Sequence, residues 1–201
     1  MNLKDNFEPF SNSLKQAIQD ENWYAALITA VTLPDICCTL DGTKKGKHSK
    51  DPYIVWFNKY VGKYHYEVQG YASEIKPNLK VYINGNNAYS LRCDVLHQGG
   101  TDLTSHSSTD SELGYQKIEF IFPNEIPIKI LTNEFFSDIS ALEIGSTLYL
   151  NVKTYCNSIL TGVLIWLDDQ ENKYQTKIKS EKLIKIWNSK NLKSHYPQGF
   201  T

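Results

Sequence analysis

The stretch NVKTYCNSILTGVLIWLD, residues 151–168, has the most regular helical pattern in the chain. Its apolar residues recur at the i, i+3, i+4 and i+7 positions of one helix face. They are Val152, Tyr155, Cys156, Ile159, Leu160, Val163, Leu164 and Leu167. Other helices must cover an apolar face of this length, so the stretch predicts a mainly α fold, a helical bundle.

Residues 11–33 supply the first candidate partner for this helix. They form two helical stretches, and Ser11 or Ser13 is expected to cap the first of them. The second stretch is apolar nearly all round, which predicts a central position in the bundle. Pro34 is expected to end or kink it, because proline lacks the backbone N–H that a helix interior uses.

Two shorter segments also have helical spacing. In residues 51–64, Asp51 is expected to be the N-cap and Pro52 the first helical residue. In residues 86–98, Asn86 or Asn87 is expected to be the N-cap. The pair Gly99-Gly100 is then expected to end this helix, since glycine readily adopts the left-handed conformation that follows a helix C-terminus.

One region has strand rather than helix spacing. The sequence YQKIEFIFP, residues 115–123, alternates in the way of a strand, and IPIKIL, residues 126–131, is a candidate hairpin partner. We therefore expect a single domain over 1–201, with a small β-hairpin insertion at about 115–132. Residues 180–190 are expected to form a last short helix or an edge strand.

The charge balance gives no global attraction to nucleic acid or to an anionic membrane. The chain has 201 residues with 21 basic and 22 acidic side chains, so a polyanion would need a local basic patch. No apolar run reaches the roughly 18 residues of a membrane span, and the N-terminal sequence lacks the pattern of a signal peptide. These features predict a cytoplasmic protein without a membrane contact.

The four cysteines predict buried, reduced thiols. None belongs to a C-x-x-C pair, and each lies in an apolar stretch. The His and Cys positions show no paired spacing of zinc ligands, so no metal and no cofactor is expected. The cysteines are Cys37, Cys38, Cys93 and Cys156.

Arg92 is the only arginine in a chain that otherwise uses lysine. Where a lysine would serve equally well, this composition predicts lysine, so Arg92 indicates a site that needs a planar, bidentate donor. His97 follows five positions later, and its intrinsic pKa suits proton transfer near neutral pH. Five residues correspond to about 500° of helix rotation, so the two side chains leave the helix about 140° apart. Unwinding of the helix at His97, or a dimer interface, would let them converge.

The spacing from Arg92 to His97 resembles the R-x-x-x-x-H motif of HEPN-domain ribonucleases and toxins. The resemblance implies a helical bundle that cuts RNA without metal, often as a homodimer with both motifs in one cleft. It also implies a role in toxin–antitoxin systems or antiphage defence, with an antitoxin or regulatory protein as partner. The chain departs from the family at Cys93, where the family usually has a polar residue.

The resemblance and the chemistry of RNA cleavage together assign roles to the candidate site residues. His97 would act as general acid and base, and Arg92 would bind the scissile phosphate. Tyr89 and Gln98 would help to hold the RNA. The lysine-rich loop at 41–50 would add phosphate contacts through three side chains. They are Lys44, Lys45 and Lys47.

Three other interpretations remain open from the sequence. Arg92 can form a structural ion pair with a carboxylate such as Asp35, while His97 stabilises the helix C-terminus. The chain can be a non-catalytic interaction module on the same bundle. It can also be a nucleotide-binding protein that reads phosphate through Arg92 and the lysine loop.

Overall fold

Helices dominate the computed structural model, which describes residues 2–44, 50–62, 66–69, 78–103, 115–122 and 141–184. The helices are α1 (Leu3–Gln19), α2 (Trp23–Asp41), α3 (Lys50–Tyr60), α4 (Gly85–His97), α5 (Val152–Gln170) and α6 (Tyr174–Ser180). The strands are β1 (Tyr66–Gln69), β2 (Asn78–Val81), β3 (Lys117–Ile121), β4 (Ala141–Ile144) and β5 (Thr147–Asn151). This arrangement confirms the mainly α fold.

Helix α2 occupies the centre of the bundle, as its apolar composition predicts. It contacts α1, α3, α4, α5 and α6, and Ala30, Leu33 and Cys37 are fully buried. Of the two effects expected of Pro34, the end of the helix is wrong, because α2 continues to Asp41 with Pro34 inside it, and a kink stays a prediction. By length and composition alone α2 could cross a membrane, although half of its apolar window is buried in the fold. Cytoplasmic location stays a prediction.

Helix α1 begins earlier than its serines suggest. Its N-cap is Asn2, whose side chain accepts a hydrogen bond from Asp5 N while the Asp5 side chain accepts one from Asn2 N. This reciprocal capping satisfies two backbone donors that a helix N-terminus otherwise leaves without partners. Ser11 is therefore inside the helix, where its hydroxyl donates to the Glu8 carbonyl, and neither Ser11 nor Ser13 is a cap.

The starts of α3 and α4 also differ from the predictions. Asp51 lies within the first turn of α3 rather than at the N-cap. The N-cap of α4 is Asn84, two residues before Asn86 and three before Asn87, the two expected caps. Gly85 follows Asn84 because α3 passes so close that a Cβ there would lie 2.5 Å from the Ile54 carbonyl oxygen.

The predicted stop of α4 is confirmed. Its last helical residue is His97, and Gly99 has a φ of 66°, in the left-handed region where glycine is favoured. The N–H groups of Gln98 and Gly100 both donate to the Asp94 carbonyl, at 2.9 and 3.3 Å. Backbone hydrogen bonds thus fix the C-terminal end of α4.

Helix α5 confirms the pattern with which residues 151–168 predicted the fold. Asn151 caps it, and Tyr155, Ile159 and Val163 are fully buried. Leu164 is an exception to the predicted face, since 42% of it is exposed. Trp166, which the spacing did not single out, is fully buried and donates to Asp41 Oδ2 at 3.1 Å.

Two small sheets accompany the helices. The predicted strand exists as β3, but its partner in the described chain is β5, with which it pairs in parallel, and β4 pairs antiparallel on the far side of β5. The expected partner IPIKIL, residues 126–131, lies outside the described residues. The hairpin of β1 and β2 was not predicted. At the C-terminal end, α6 precedes the expected element, and residues 185–190 are also outside the described part.

Candidate active site

The candidate active site centres on the contact between Arg92 on α4 and Asp35 on α2. Arg92 Nη2 lies 2.6 Å from Asp35 Oδ2. The two side chains retain only 17% and 10% of their exposure. The contact therefore joins α4 to the central helix α2 at a largely desolvated position.

Lys44, which follows α2, belongs to the same cluster. Its Nζ lies 3.6 Å from Asp35 Oδ1, so two cations flank one buried carboxylate. Despite the short ionic contacts, neither oxygen of Asp35 accepts a well-directed hydrogen bond from the described residues, and buried Arg92 Nε also lacks a hydrogen-bond partner there. Attraction between opposite charges at short range thus contributes to holding the cluster together.

His97 meets Arg92 at the solvent-facing side of this cluster. Arg92 Nη1 lies 3.4 Å from His97 Nε2, and the His97 side chain is exposed. Unwinding of the helix is not needed for this approach, because α4 includes His97 and the long arginine side chain spans the angular difference. A guanidinium only donates, so it can donate to Nε2 only in the neutral tautomer with its proton on Nδ1.

The charge state of Arg92 is fixed by two opposing influences. Burial lowers the pKa of its guanidinium, but the Asp35 carboxylate and the Cys93 sulfur raise it by more, so the net shift is upward. Arg92 therefore remains a cation at any pH at which the protein is folded. A permanent cation beside an exposed imidazole can in principle contact a phosphate and transfer a proton.

Cys93, the residue at which the chain departs from the HEPN pattern, lies beside the guanidinium. Arg92 Nη1 approaches its sulfur at 3.8 Å, and only 8% of Cys93 is exposed. Its neighbour Asp94 is fully buried. All four cysteines are free and buried, which confirms that prediction.

The remaining predicted site residues have different surroundings. Tyr89 is partly buried and packs edge-on against buried Tyr53 of α3, with ring centroids 5.6 Å apart. Gln98 is exposed at the C-terminal cap of α4, next to His97. Lys45 and Lys47 lie outside the described residues. A role in binding RNA stays a prediction for all four.

From the sequence, Asp35 was a possible structural partner of Arg92 or of a histidine, and no connection with Lys44 was predicted. The signal for Asp35 was weak, since a carboxylate in an apolar helix has many alternative partners until the helices are packed. Among the described residues no three His, Cys, Asp or Glu side chains are grouped so as to hold a metal ion. Arg92 and Lys44 supply positive charge with which the arrangement can bind an anion. His97 supplies a group that can transfer a proton.

Comparisons with protein-family models, with curated protein sequences and with solved structures find no match to this chain. The HEPN resemblance therefore stays a prediction that depends on residues 86–100.

Proposed function

We propose that the chain is a metal-independent endoribonuclease of the HEPN type. The observation that supports this proposal most strongly is the 3.4 Å approach of Arg92 Nη1 to His97 Nε2. Residues that diverge on the helix surface meet at their functional tips, next to solvent. A phosphate oxygen and a ribose hydroxyl could take the positions on either side of this contact.

The reaction uses the 2′-hydroxyl of the RNA as its nucleophile. When a phosphate oxygen replaces His97 as the acceptor for Arg92 Nη1, Nε2 is free to accept the 2′-hydroxyl proton. The 2′-oxygen then attacks the adjacent phosphorus while the bond to the 5′-oxygen breaks. The products are a 2′,3′-cyclic phosphate and a 5′-hydroxyl, whose proton comes from the imidazolium or from water. Arg92 stabilises the charge that accumulates on the phosphate oxygens.

Asp35 acts in this proposal as a positioning residue for Arg92. Its contact at Nη2 leaves Nη1 directed at His97. Because the pair is largely buried, the guanidinium loses little further freedom when a phosphate binds, which favours the transition state. Lys44 adds a second positive charge on the other side of Asp35.

The direct test is cleavage of a labelled RNA by purified protein. His97→Ala is expected to reduce the rate by about 10²- to 10⁴-fold, because it removes the proton-transfer group. Lys59→Ala, which changes an exposed cation in a different ion pair, is the matched control and should cleave normally. Undiminished cleavage by His97→Ala, prepared in parallel, would refute the mechanism.

The family resemblance also leads us to propose a homodimer and an inhibitory partner protein. Sedimentation of the chain at several concentrations tests the dimer. Growth arrest on expression, relieved in the His97→Ala variant, tests the toxin or defence role. A monomer that cleaves RNA fully would limit the proposal to the single-chain site.

A second candidate function is a non-catalytic interaction module, and the burial of the Arg92–Asp35 contact favours it. In that case the pair holds α2 against α4, and the motif is structural. The double variant Asp35→Leu with Arg92→Met separates the two functions, since apolar replacement of a buried ion pair is often neutral or stabilising. If the chain is a ribonuclease, the wild-type protein should cleave RNA and the double variant should fold but not cleave. If the chain is a non-catalytic interaction module, the wild-type protein itself should not cleave RNA at any concentration.

A further inference from the structure

A groove next to the Arg92–His97 contact has no part in the mechanism above. It lies between the first half of α2, the end of α4 and β3, and has a volume of about 390 Å³. We call it the α2–β3 groove. The lining residues that matter here are Tyr24, Ile28, Val95, Gly99, Glu119 and Phe122.

The groove and the candidate active site share the same faces of two helices. On α4, Val95 follows Arg92 by three residues, which places it on the same side of the helix and about 4.5 Å along its axis. On α2, Ile28 precedes Asp35 by seven residues, again on one face and about 10.5 Å along the axis. The groove and the Arg92–Asp35 contact thus lie along the same interface between α2 and α4.

Among the described residues, the groove exposes aromatic surface. Tyr24 is 80% exposed and Phe122 is 45% exposed. They come from different elements, the start of α2 and the residue after β3. Aromatic faces of this kind bind the flat faces of nucleobases irrespective of base type.

Glu119 supplies the carboxylate of the groove. It lies on β3, and its carboxylate pairs with Lys117 at the groove wall. A carboxylate repels phosphate but accepts N–H donors of a base. Guanine has two adjacent N–H donors on its Watson–Crick edge, which match the two carboxylate oxygens, whereas adenine, cytosine and uracil each place an acceptor beside the donor.

We propose that the α2–β3 groove binds a guanine base of the RNA next to the phosphate held by Arg92. Tyr24 and Phe122 contact its faces and Glu119 reads its Watson–Crick edge. The choice of an RNA base rests on the proposed ribonuclease function. The groove would then give the enzyme a preference for cutting beside guanosine.

The test separates base binding from cleavage by using fully 2′-O-methylated trinucleotides, in which the attacking hydroxyl is blocked. Calorimetric titration of the full chain with UGU, UAU, UCU and UUU should give a dissociation constant about 10-fold lower for UGU than for the others. Tyr24→Ala should weaken UGU binding about 10-fold. Glu119→Gln should remove most of the preference for UGU over UAU.

Val55→Ala is the matched control, because Val55 is 65% exposed on α3 and does not line the groove. Since Tyr24 is itself exposed, loss of binding in its variant cannot be attributed to unfolding, and circular dichroism verifies this. Equal affinity for the four trinucleotides, or unchanged binding by Tyr24→Ala, would overturn the proposal. A homodimer that the Tyr24→Ala substitution dissociates without changing the RNA affinity would also overturn the proposal. In that case the groove would be an interface between two copies of the chain.

The outcomes for the groove and for catalysis are independent. Selective UGU binding together with undiminished cleavage by His97→Ala would leave the groove and refute the catalytic mechanism. His97-dependent cleavage without base preference would leave the ribonuclease and refute the guanine site.

Discussion

Arg92–Asp35 and Lys59–Asp169 are both ion pairs between helices, yet their surroundings differ. The Arg92 and Asp35 side chains are 17% and 10% exposed, whereas those of Lys59 and Asp169 are 59% and 45% exposed. The exposed pair lies in water with an N–O distance of 3.1 Å, and the buried pair is closer, at 2.6 Å. The chain uses lysine in the exposed pair and its only arginine in the buried one.

The difference explains why one arginine persists among so many lysines. A guanidinium is less strongly hydrated than an ammonium and has several donors in a fixed plane, so it is less costly to bury and can contact two groups at once. Arg92 uses both properties, with Nη2 at Asp35 and Nη1 at His97. At an exposed position, as for Lys59, a lysine serves equally well.

The largest expected effect comes from removing one partner of the buried pair. Asp35→Ala should destabilise the protein by about 3–5 kcal/mol, because it leaves a buried guanidinium without its carboxylate. The matched variant Asp169→Ala should have a much smaller effect, because water solvates Lys59 in its place. Urea unfolding followed by circular dichroism measures both. Equal losses would show that burial does not distinguish the pairs.

Exchange of the two cations gives the next largest effect. Arg92→Lys should cost about 1.5–3 kcal/mol, since an ammonium cannot reach Asp35 and His97 together. It should also impair RNA cleavage. The reciprocal variant Lys59→Arg should leave the unfolding midpoint unchanged. A harmless Arg92→Lys substitution would favour the non-catalytic interaction module.

Alkaline pH should weaken the buried region through Cys38, which lies one turn after Asp35 on α2. Burial, with a smaller contribution from the Asp41 carboxylate, raises the pKa of its thiol from 9.0 to about 12. Between these values the unfolded chain loses the proton and the folded chain keeps it, so stability falls as pH rises. The expected slope is about 1.4 kcal/mol per pH unit for this group.

The control for this pH dependence is Cys38→Ser, which keeps a donor towards the Pro52 carbonyl but does not ionise in this range. Urea midpoints at pH 8 and pH 10, under reducing conditions, should decrease less for the variant than for the wild-type chain. An identical decrease would show that other groups carry the alkaline effect.

The smallest effect is expected at acidic pH in the exposed pair. Hydrogen bonds from Lys59 and Tyr60 lower the pKa of Asp169 from 3.8. This contribution is therefore present above about pH 4 and is lost as pH falls through the lowered pKa. Asp169→Asn should flatten this part of the stability curve slightly. A steeper acid loss in the variant would contradict the assigned direction.

The sequence predicted those elements whose apolar spacing is strong. Helix α5 and strand β3 begin and end close to the expected residues, and Gly99 ends α4 because a left-handed residue was needed there. The caps were less predictable, since asparagine competes with serine and aspartate as a capping residue. Asn84 replaced Asn86 because close packing against α3 at Ile54 fixes Gly85 as the first helical residue.

Pro34 shows why local rules fail in a central helix. Proline removes one backbone hydrogen bond, but the buried apolar residues on both sides of Pro34 stabilise the helix by more than that loss. The parallel pairing of β3 with β5 was equally inaccessible, because it joins residues far apart in sequence. Only the packed chain defines that partner.

By itself the sequence determined the mainly α bundle, the central position of α2 and the buried thiols, and it singled out Arg92 and His97 as candidate site residues. Helical periodicity and residue chemistry are local properties, so they can be read without a structure. The tertiary structure decided that Arg92 contacts Asp35, Lys44 shares that carboxylate, and His97 meets the guanidinium despite an angular separation of about 140° on the helix. These contacts depend on how α2 packs against α4 and on the length of the Arg92 side chain. The spacing of residues along the sequence does not give this packing.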